Sequence, residues 1–186
     1  HLQLTGRRGN VQASGRWDPR GALGLQVIGQ FPLAMLPLFR PEVREATGTL
    51  AITGQVGGTA AAPRFTGEAT IKNGMLQVRD RPETLREVEA RMVFSQDGVR
   101  LVDATASVGR GRVRASGDLP LQGWQLGAYR FAVTGQNVSI APTQGVQTTW
   151  DLNLELIGRG SKAQLRGEGR LLQGAVSGHI HLSLLI

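Results

Sequence analysis

Apolar and polar residues alternate along much of this chain, and this alternation constrains the fold more than any other feature. Leu50 and Ile52 are separated by one residue, and Leu152, Leu154 and Leu156 repeat the same spacing. A period of two residues is that of a β-strand with one apolar and one solvated face, which is typical of antiparallel sheets. The sequence therefore predicts an all-β fold.

Short segments rich in Gly, Asn and Asp separate the alternating runs. Asn73-Gly74 and Asp97-Gly98 are typical hairpin dipeptides, and Gly57-Gly58 and Gly109-Arg110-Gly111 are further turn signals. Together they divide the chain into about a dozen strands at the spacing expected of an all-β protein. The predicted fold class is a long, curled, largely antiparallel sheet of repeating units with one or two short helical turns.

Two segments break the alternation. Residues 32–39 are apolar and bracketed by proline, which fits a short helix that starts at Pro32 and is ended or kinked by Pro37. Residues 81–90 are charged, and the spacing of three between Leu85 and Val88 suits one helical turn or a tight connection. Neither segment is long enough to change the fold class.

The chain resembles itself about a hundred residues apart. Segments 8–15, 21–30, 50–54 and 65–74 match 110–117, 127–136, 154–158 and 165–174, at offsets of 102, 106, 104 and 100 residues. Such repetition indicates one continuous core built from repeated units. We expect a fragment of a single β-repeat array, with the end of one unit at 1–31, a full unit at 32–137 and a partial unit at 138–186.

Small residues dominate the apolar sides of the predicted strands. The chain has 26 glycines, about twice the usual share, and these alternate with Leu, Val and Ile. A sheet curled at its glycines would form a long trough lined by aliphatic side chains. The alternative is that the apolar faces close on each other as a sandwich or barrel.

A spaced pattern of glycines, aliphatic residues and two prolines carries a family resemblance. It consists of Leu33-x-x-Leu36-Pro37, Gly48-x-Leu50, Val56-x-Gly58-Thr59, Pro63-x-Phe65-x-Gly67, Asn73-Gly74-x-Leu76-x-Val78, Gly98-x-x-Leu101 and Gly109-x-Gly111-x-Val113. This pattern resembles the periplasmic repeats of TamB and its AsmA-like relatives. The resemblance implies a β-taco groove in the periplasmic part of a protein anchored in the inner membrane of a diderm bacterium.

The same resemblance implies a function. We expect a non-enzymatic conduit that carries phospholipid or other acyl-chain lipid towards the outer membrane, with an outer-membrane partner of the TamA/BamA type engaged through other parts of the parent. The residues expected to line the groove are Leu50, Ile52, Val56, Phe65, Ile71, Leu76, Val78, Val113, Phe131, Val133, Leu152, Leu154, Leu156, Leu165, Leu171, Ile180 and Leu182. Two alternatives stay open: a chaperone-like scaffold for outer-membrane protein assembly, and a plain β-sandwich adhesin.

Other chemistries find little support in the sequence. His179 and His181 share a predicted strand face, but no third metal ligand is evident. The chain has no cysteine and no Gly-x-Ser-x-Gly elbow, so we expect neither an enzyme nor a cofactor. Arg110, Arg112 and Arg114 are interleaved with Gly and Val rather than with aromatic residues, which favours a solvated outer face over nucleic-acid binding.

Overall fold

The fold is taken from a computed structural model, which describes residues 5–6, 9–17, 22–59, 61–122, 125–143, 146–160 and 162–176. Strands account for most of these residues. They are β1 Thr5–Gly6, β2 Gly9–Trp17, β3 Ala22–Pro32, β4 Val43–Thr59, β5 Pro63–Val78, β6 Thr84–Ser95, β7 Gly98–Val108, β8 Gly111–Gln122, β9 Gln125–Leu126, β10 Ala128–Thr143, β11 Val146–Arg159 and β12 Lys162–Val176.

The strands form one antiparallel sheet whose order follows the chain. The order is β1-β2-β3-β4-β5-β6-β7-β8-β10-β11-β12, and the two-residue β9 pairs only with β8. The sheet is curled and does not close on itself. The predicted all-β, antiparallel, curled sheet is therefore confirmed, and the described residues do not form the two packed sheets of a sandwich.

A short helical segment joins β3 to β4, as predicted. A 3₁₀ turn at Leu33–Met35 runs into a helix, α1, at Leu36–Phe39. Pro37 lies in the first turn of α1, where a missing backbone N–H removes no helical hydrogen bond. Pro37 therefore helps α1 to begin and does not end it.

The helical turn considered for residues 81–90 is wrong, because β6 already begins at Thr84. Leu85 pairs with Leu76, and Val88 pairs with Gly74, on either side of a register shift. Glu87 between them has a positive φ of 50°. This bulge inserts one extra residue, so that Leu85 and Val88 face the same side of the sheet although they are three residues apart.

Two of the predicted turns are also wrong. Asn73-Gly74 and Gly57-Gly58 lie inside β5 and β4, respectively. Asn73 adopts a φ of 52° beside a register shift, because the left-handed conformation that suits asparagine in a hairpin also suits it in a bulge. The same dipeptide therefore bends a continuous strand instead of reversing it.

The other two turn predictions are confirmed. Turns at Gln96–Asp97 and at Gly109–Arg110 connect β6 to β7 and β7 to β8. Gly109 has a φ of 61°, a conformation that glycine adopts without steric cost. These two tight connections keep β6, β7 and β8 adjacent in the sheet.

The internal repeat corresponds strand by strand to two parts of the sheet. Strands β2 to β5 are matched by β8, β10, β11 and β12. The pairing corrects one alignment: Ile52 pairs with Ala69 as Leu152 pairs with Gly169, so β4 and β11 are offset by 100 residues and not by 104. A register shift by an even number of residues leaves every side chain on the same face of the sheet. The alternation of apolar and polar residues alone therefore could not reveal this error of alignment.

The expected unit boundaries can also be placed on this sheet. The boundary at 31/32 falls at the end of β3, whereas that at 137/138 falls inside β10, where Asn137 has a φ of 52°. Hydrogen-bonded pairing continues across both positions.

The molecule is open rather than compact. Its accessible surface is 13950 Å², compared with roughly 8,700 Å² for a compact monomer of 19.9 kDa. No large side chain among the described residues is completely buried. The hydrophobic surface is therefore gathered on a face of the sheet and not in an enclosed core.

Candidate binding groove

One face of the sheet, named here the apolar face, is lined by paired apolar residues that cross nine successive strands. Directly paired residues in an antiparallel sheet project to the same side. One row is Phe31, Leu50, Ile71, Ala90, Ala104, Ala115, Val133, Leu154 and Gly167. The adjacent row is Gly29, Ile52, Ala69, Met92, Leu101, Gly117, Phe131, Leu156 and Leu165.

The residues predicted to line a groove all lie on this apolar face, apart from two that lie outside the described residues. Those two are Ile180 and Leu182. Ile71 and Leu76 of β5 are five residues apart, an odd number that would put them on opposite faces of a regular strand. A bulge between them brings both onto the apolar face. The fifteen described residues are Leu50, Ile52, Val56, Phe65, Ile71, Leu76, Val78, Val113, Phe131, Val133, Leu152, Leu154, Leu156, Leu165 and Leu171.

No acidic or basic residue of the described strands occupies a paired position on the apolar face. Charged residues instead occupy the opposite side, named here the polar face, or lie at bulges. Five cross-strand ion pairs lie on the polar face among the described residues: Arg91–Glu68, Arg100–Asp118, Arg114–Asp103, Arg130–Glu155 and Arg170–Asp151. The two faces therefore differ completely in charge.

The ion pairs of the polar face are exposed to solvent. Arg114 lies 3.3 Å from Asp103 with 69% of its side chain exposed, so it belongs to a solvated face, as the sequence indicated for this group of arginines. Exposed ion pairs of this kind add little to the stability of the fold.

Asp151 has the most constrained carboxylate on this face. One of its oxygens accepts the backbone N–H of Asn137 at 3.0 Å, and the other lies 3.1 Å from Arg170 Nη2. The backbone hydrogen bond, followed by that from Arg170, lowers the pKa of Asp151. Because Asn137 is the bulged residue of β10, this carboxylate holds the bulge in place.

The apolar face is the more sheltered of the two. Among the described residues, the buried hydrophobic ones are Val43, Ala46, Ala69, Val108 and Val138, and all five lie on this face by their pairing. The shelter is uneven along this face, because Leu165 and Leu171 of β12 also lie on it and are 63% and 52% exposed. Curling the sheet towards its apolar side accounts for the buried positions.

A hydrogen bond near one end of the sheet adds to the curl. The backbone N–H of Ala141 in β10 donates to Glu83 Oε1 at 2.7 Å. Three strand spacings, about 14 Å, would separate β6 from β10 in a flat sheet. The residue before β6 and the end of β10 therefore come together past the β7–β8 turn, where Gly109 lies against Ser139.

Glycine shapes the apolar face where a larger neighbour needs room. A Cβ on Gly117 would lie within 2.7 Å of the Phe131 Cα and closer still to its ring. Phe131 therefore lies against the bare backbone of β8. A glycine opposite a large side chain keeps the surface apolar and leaves room for that side chain.

Sequence reasoning missed the part of the apolar face contributed by β3, β6 and β7. The alternation Val88, Ala90, Met92 and Phe94 was available in the sequence, but the bulge at Glu87 hid where it begins. The other missed residues of these strands are Leu25, Val27, Phe31, Leu101 and Ala104. Those of β6 and β7 complete the surface between the two repeats, and those of β3 lie within the first repeat.

The pockets found among the described residues lie largely on the polar face, and those described here are open to solvent. One of about 580 Å³ is lined by residues that include Glu83, Arg110, Ser139 and Thr149. Within the described ranges, no three His, Cys, Asp or Glu side chains are grouped closely enough to hold a metal ion. His179 and His181 lie outside those ranges.

None of the helical segments in the described part of the chain is long and apolar enough to span a membrane. No family model, curated protein or solved structure matches this chain.

Proposed function

We propose that this chain is a non-enzymatic conduit segment that carries acyl chains of phospholipid along the apolar face of its sheet. The observation that carries the proposal is the pair of apolar rows that cross nine strands with no charge at any paired position. A surface of this kind offers no polar group that would fix one ligand in one orientation. It suits a chain-like apolar ligand that slides.

The dimensions of the rows support this proposal. Eight strand spacings correspond to about 38 Å, whereas one leaflet of a bilayer has about 15 Å of hydrocarbon. A complete acyl chain therefore fits along the rows with space to move. Each methylene removed from water contributes about 0.8 kcal/mol. An aliphatic surface therefore removes most of the free-energy barrier that an acyl chain meets when it crosses water.

The resemblance to TamB-like repeats supplies the cellular setting of the proposal. It implies that the segment lies in the periplasm, in a protein anchored in the inner membrane, and that it serves outer-membrane biogenesis with a TamA/BamA-type partner. These parts of the proposal depend on the resemblance alone, and the groove stands independently of them.

Site-specific photo-crosslinking tests the proposal. A benzophenone amino acid at Ile52 or Leu154 should capture phospholipid from vesicles of phosphatidylethanolamine and phosphatidylglycerol, because both residues lie on the apolar face. The same group at Thr53 or Glu155, on the polar face, should capture little. Equal yields at the four positions would contradict the proposal.

A matched pair of charge substitutions separates loss of lipid from loss of fold. Ile52→Asp places a carboxylate among apolar side chains, whereas Gln55→Asp adds the same charge to the polar face of the same strand. Because Ile52 is only half-buried, Ile52→Asp should stay folded and lose most lipid capture at Leu154, and Gln55→Asp should retain it. Undiminished capture in a folded Ile52→Asp protein would exclude Ile52 from the path.

A further inference from the structure

The pocket of about 580 Å³ lies beside the β7–β8 turn and is built from five parts of the sheet. Its lining comes from the start of β6 and the residues before it, from the turn itself, and from β10, β11 and β12. The hydrogen bond from the Ala141 N–H to Glu83 Oε1, at 2.7 Å, joins two of these parts directly. The pocket therefore has tied sides, and its volume is within the range of small-molecule sites.

We propose that this pocket binds the phosphate group of a small ligand. Its cations are Arg86 and Arg110, and its uncharged hydrogen-bond donors are Thr84, Ser139, Gln147, Thr149 and Gln173. Arginine suits phosphate because its planar guanidinium donates two parallel hydrogen bonds to two oxygens. The proposal concerns a site away from the apolar face and therefore goes beyond the acyl-chain conduit.

The two arginines of the pocket are not committed to other charges. Neither Arg86 nor Arg110 forms an ion pair with any other described residue. Arg114, which belongs to the same group of arginines in the sequence as Arg110, is instead paired with Asp103 at 3.3 Å. The guanidinium groups that line the pocket are therefore available to an anionic ligand.

The carboxylates beside these arginines already accept other hydrogen bonds. Glu83 is the one acidic residue among the described residues that line the pocket, and it accepts the backbone N–H of Ala141. Glu87, which follows Arg86 in β6, accepts the Ser107 hydroxyl at 2.6 Å. The described lining thus has two cations against one anion, and this balance favours a negatively charged ligand.

A row of uncharged polar side chains crosses the last three strands and forms another side of the pocket. Ser139 pairs with Thr149, and Thr149 pairs with Gln173, so the three side chains project to the same side of the sheet. Their hydroxyl and amide groups can donate hydrogen bonds to phosphate oxygens. The arginines would attract the anion, and this row would fix its orientation.

Titrations with soluble probes test the proposal on the whole folded chain. We expect inorganic phosphate or glycerol 3-phosphate to shift the backbone amide NMR signals of Arg110, Ser139 and Thr149 saturably, at an ionic strength held constant with chloride. Glycerol should shift none of them. Tighter binding of inorganic phosphate would indicate a free phosphate as the ligand. Tighter binding of glycerol 3-phosphate, with flotation on phosphatidylglycerol vesicles that Arg110→Gln weakens, would indicate a lipid headgroup.

Matched variants decide whether the pocket itself binds the probe. Arg86→Gln and Arg110→Gln should each raise the Kd of the tighter probe roughly ten-fold, and Thr149→Val roughly three-fold. Arg64→Gln is the control, because Arg64 also lacks an ion pair with any described residue but lines a different pocket. The Arg64→Gln variant should bind as the parent chain does.

Two results would overturn the proposal. One is that neither phosphate probe binds saturably to a chain that circular dichroism shows to be folded. The other is that Arg64→Gln weakens binding as much as Arg86→Gln does, which would show attraction by net charge alone. Because the titrations use soluble probes, their outcome does not depend on whether the apolar face carries lipid.

Discussion

The hairpins β4–β5 and β11–β12 are equivalent in the repeat and in strand register, yet they are buried to different extents. Phe65 and Ile71 in β5 are half-buried, whereas their equivalents Leu165 and Leu171 in β12 are exposed. The difference cannot come from hydrophobicity, because large apolar residues occupy all four positions. Burial in this sheet is set by the strands that flank a residue, as expected of a repeat structure whose units contact only their neighbours.

The connections that precede the two hairpins also differ. Residues 33–39 form the helical segment between β3 and β4, whereas β10 ends at Thr143 and β11 begins at Val146. The strands nevertheless keep equivalent pairing. Differences in length between the repeats are therefore absorbed at the ends of strands and leave the apolar face unchanged.

The largest contrast between the hairpins should come from a charge at equivalent positions of β5 and β12. Ala69→Asp places a carboxylate at a buried apolar site and should lower the free energy of unfolding by about 3 kcal/mol. Gly169→Asp, at the equivalent exposed site, should lower it by less than about 0.5 kcal/mol. Urea unfolding of both variants measures the difference, and similar losses would show that the two hairpins are equally sheltered.

A smaller contrast is expected from the paired glycines of the two hairpins. Gly67 and Gly167 have φ values of 146° and 137°, and a Cβ on either would collide with the backbone of the preceding strand. Gly67→Ala should destabilise by about 2 kcal/mol. Gly167→Ala should cost about half as much, because a strand held on one side can shift away. Equal costs, measured by thermal unfolding, would show that β12 is held as firmly as β5.

The smallest contrast is a difference in how stability depends on pH. It arises in β11, which has Asp151 where the equivalent position of β4 has Ala51. The lowered pKa of Asp151 means that its ionised form stabilises the fold. This contribution is present above the unfolded pKa of about 3.9 and is lost as pH falls through the lower folded value. Asp151→Asn should therefore lower Tm at pH 6, and its difference from the parent chain should shrink as pH falls below about 3.9 and through the lower folded pKa. A Tm difference that does not change with pH would contradict this account.

Alternation predicted which residues share the apolar face wherever a strand has no bulge, because parity fixes the faces there. It could not predict the register. Leu154 was aligned with Leu50, whereas the structure makes Trp150 the equivalent of Leu50, and the error of four residues left every face unchanged. Register depends on which side chains meet across strands, and a lining of similar aliphatic residues carries little of that information.

Bulges were the other feature that sequence patterns concealed. Asn73-Gly74 has the composition of a hairpin turn, and the charged run around Glu87 breaks the period of two. In both places a residue with positive φ inserts one position into a continuous strand. Local composition specifies the backbone conformation there, but only the neighbouring strands decide whether the chain reverses or continues.

The order of the strands has a consequence for how the chain reaches this fold. Each strand of the main sheet pairs with its neighbours along the chain, and only the short β9 intervenes, between β8 and β10. Few contacts need the closure of a long loop, so the entropic barrier to assembly is low for an all-β protein. Each hairpin can therefore pair with the preceding one as soon as it forms, before the rest of the chain has folded.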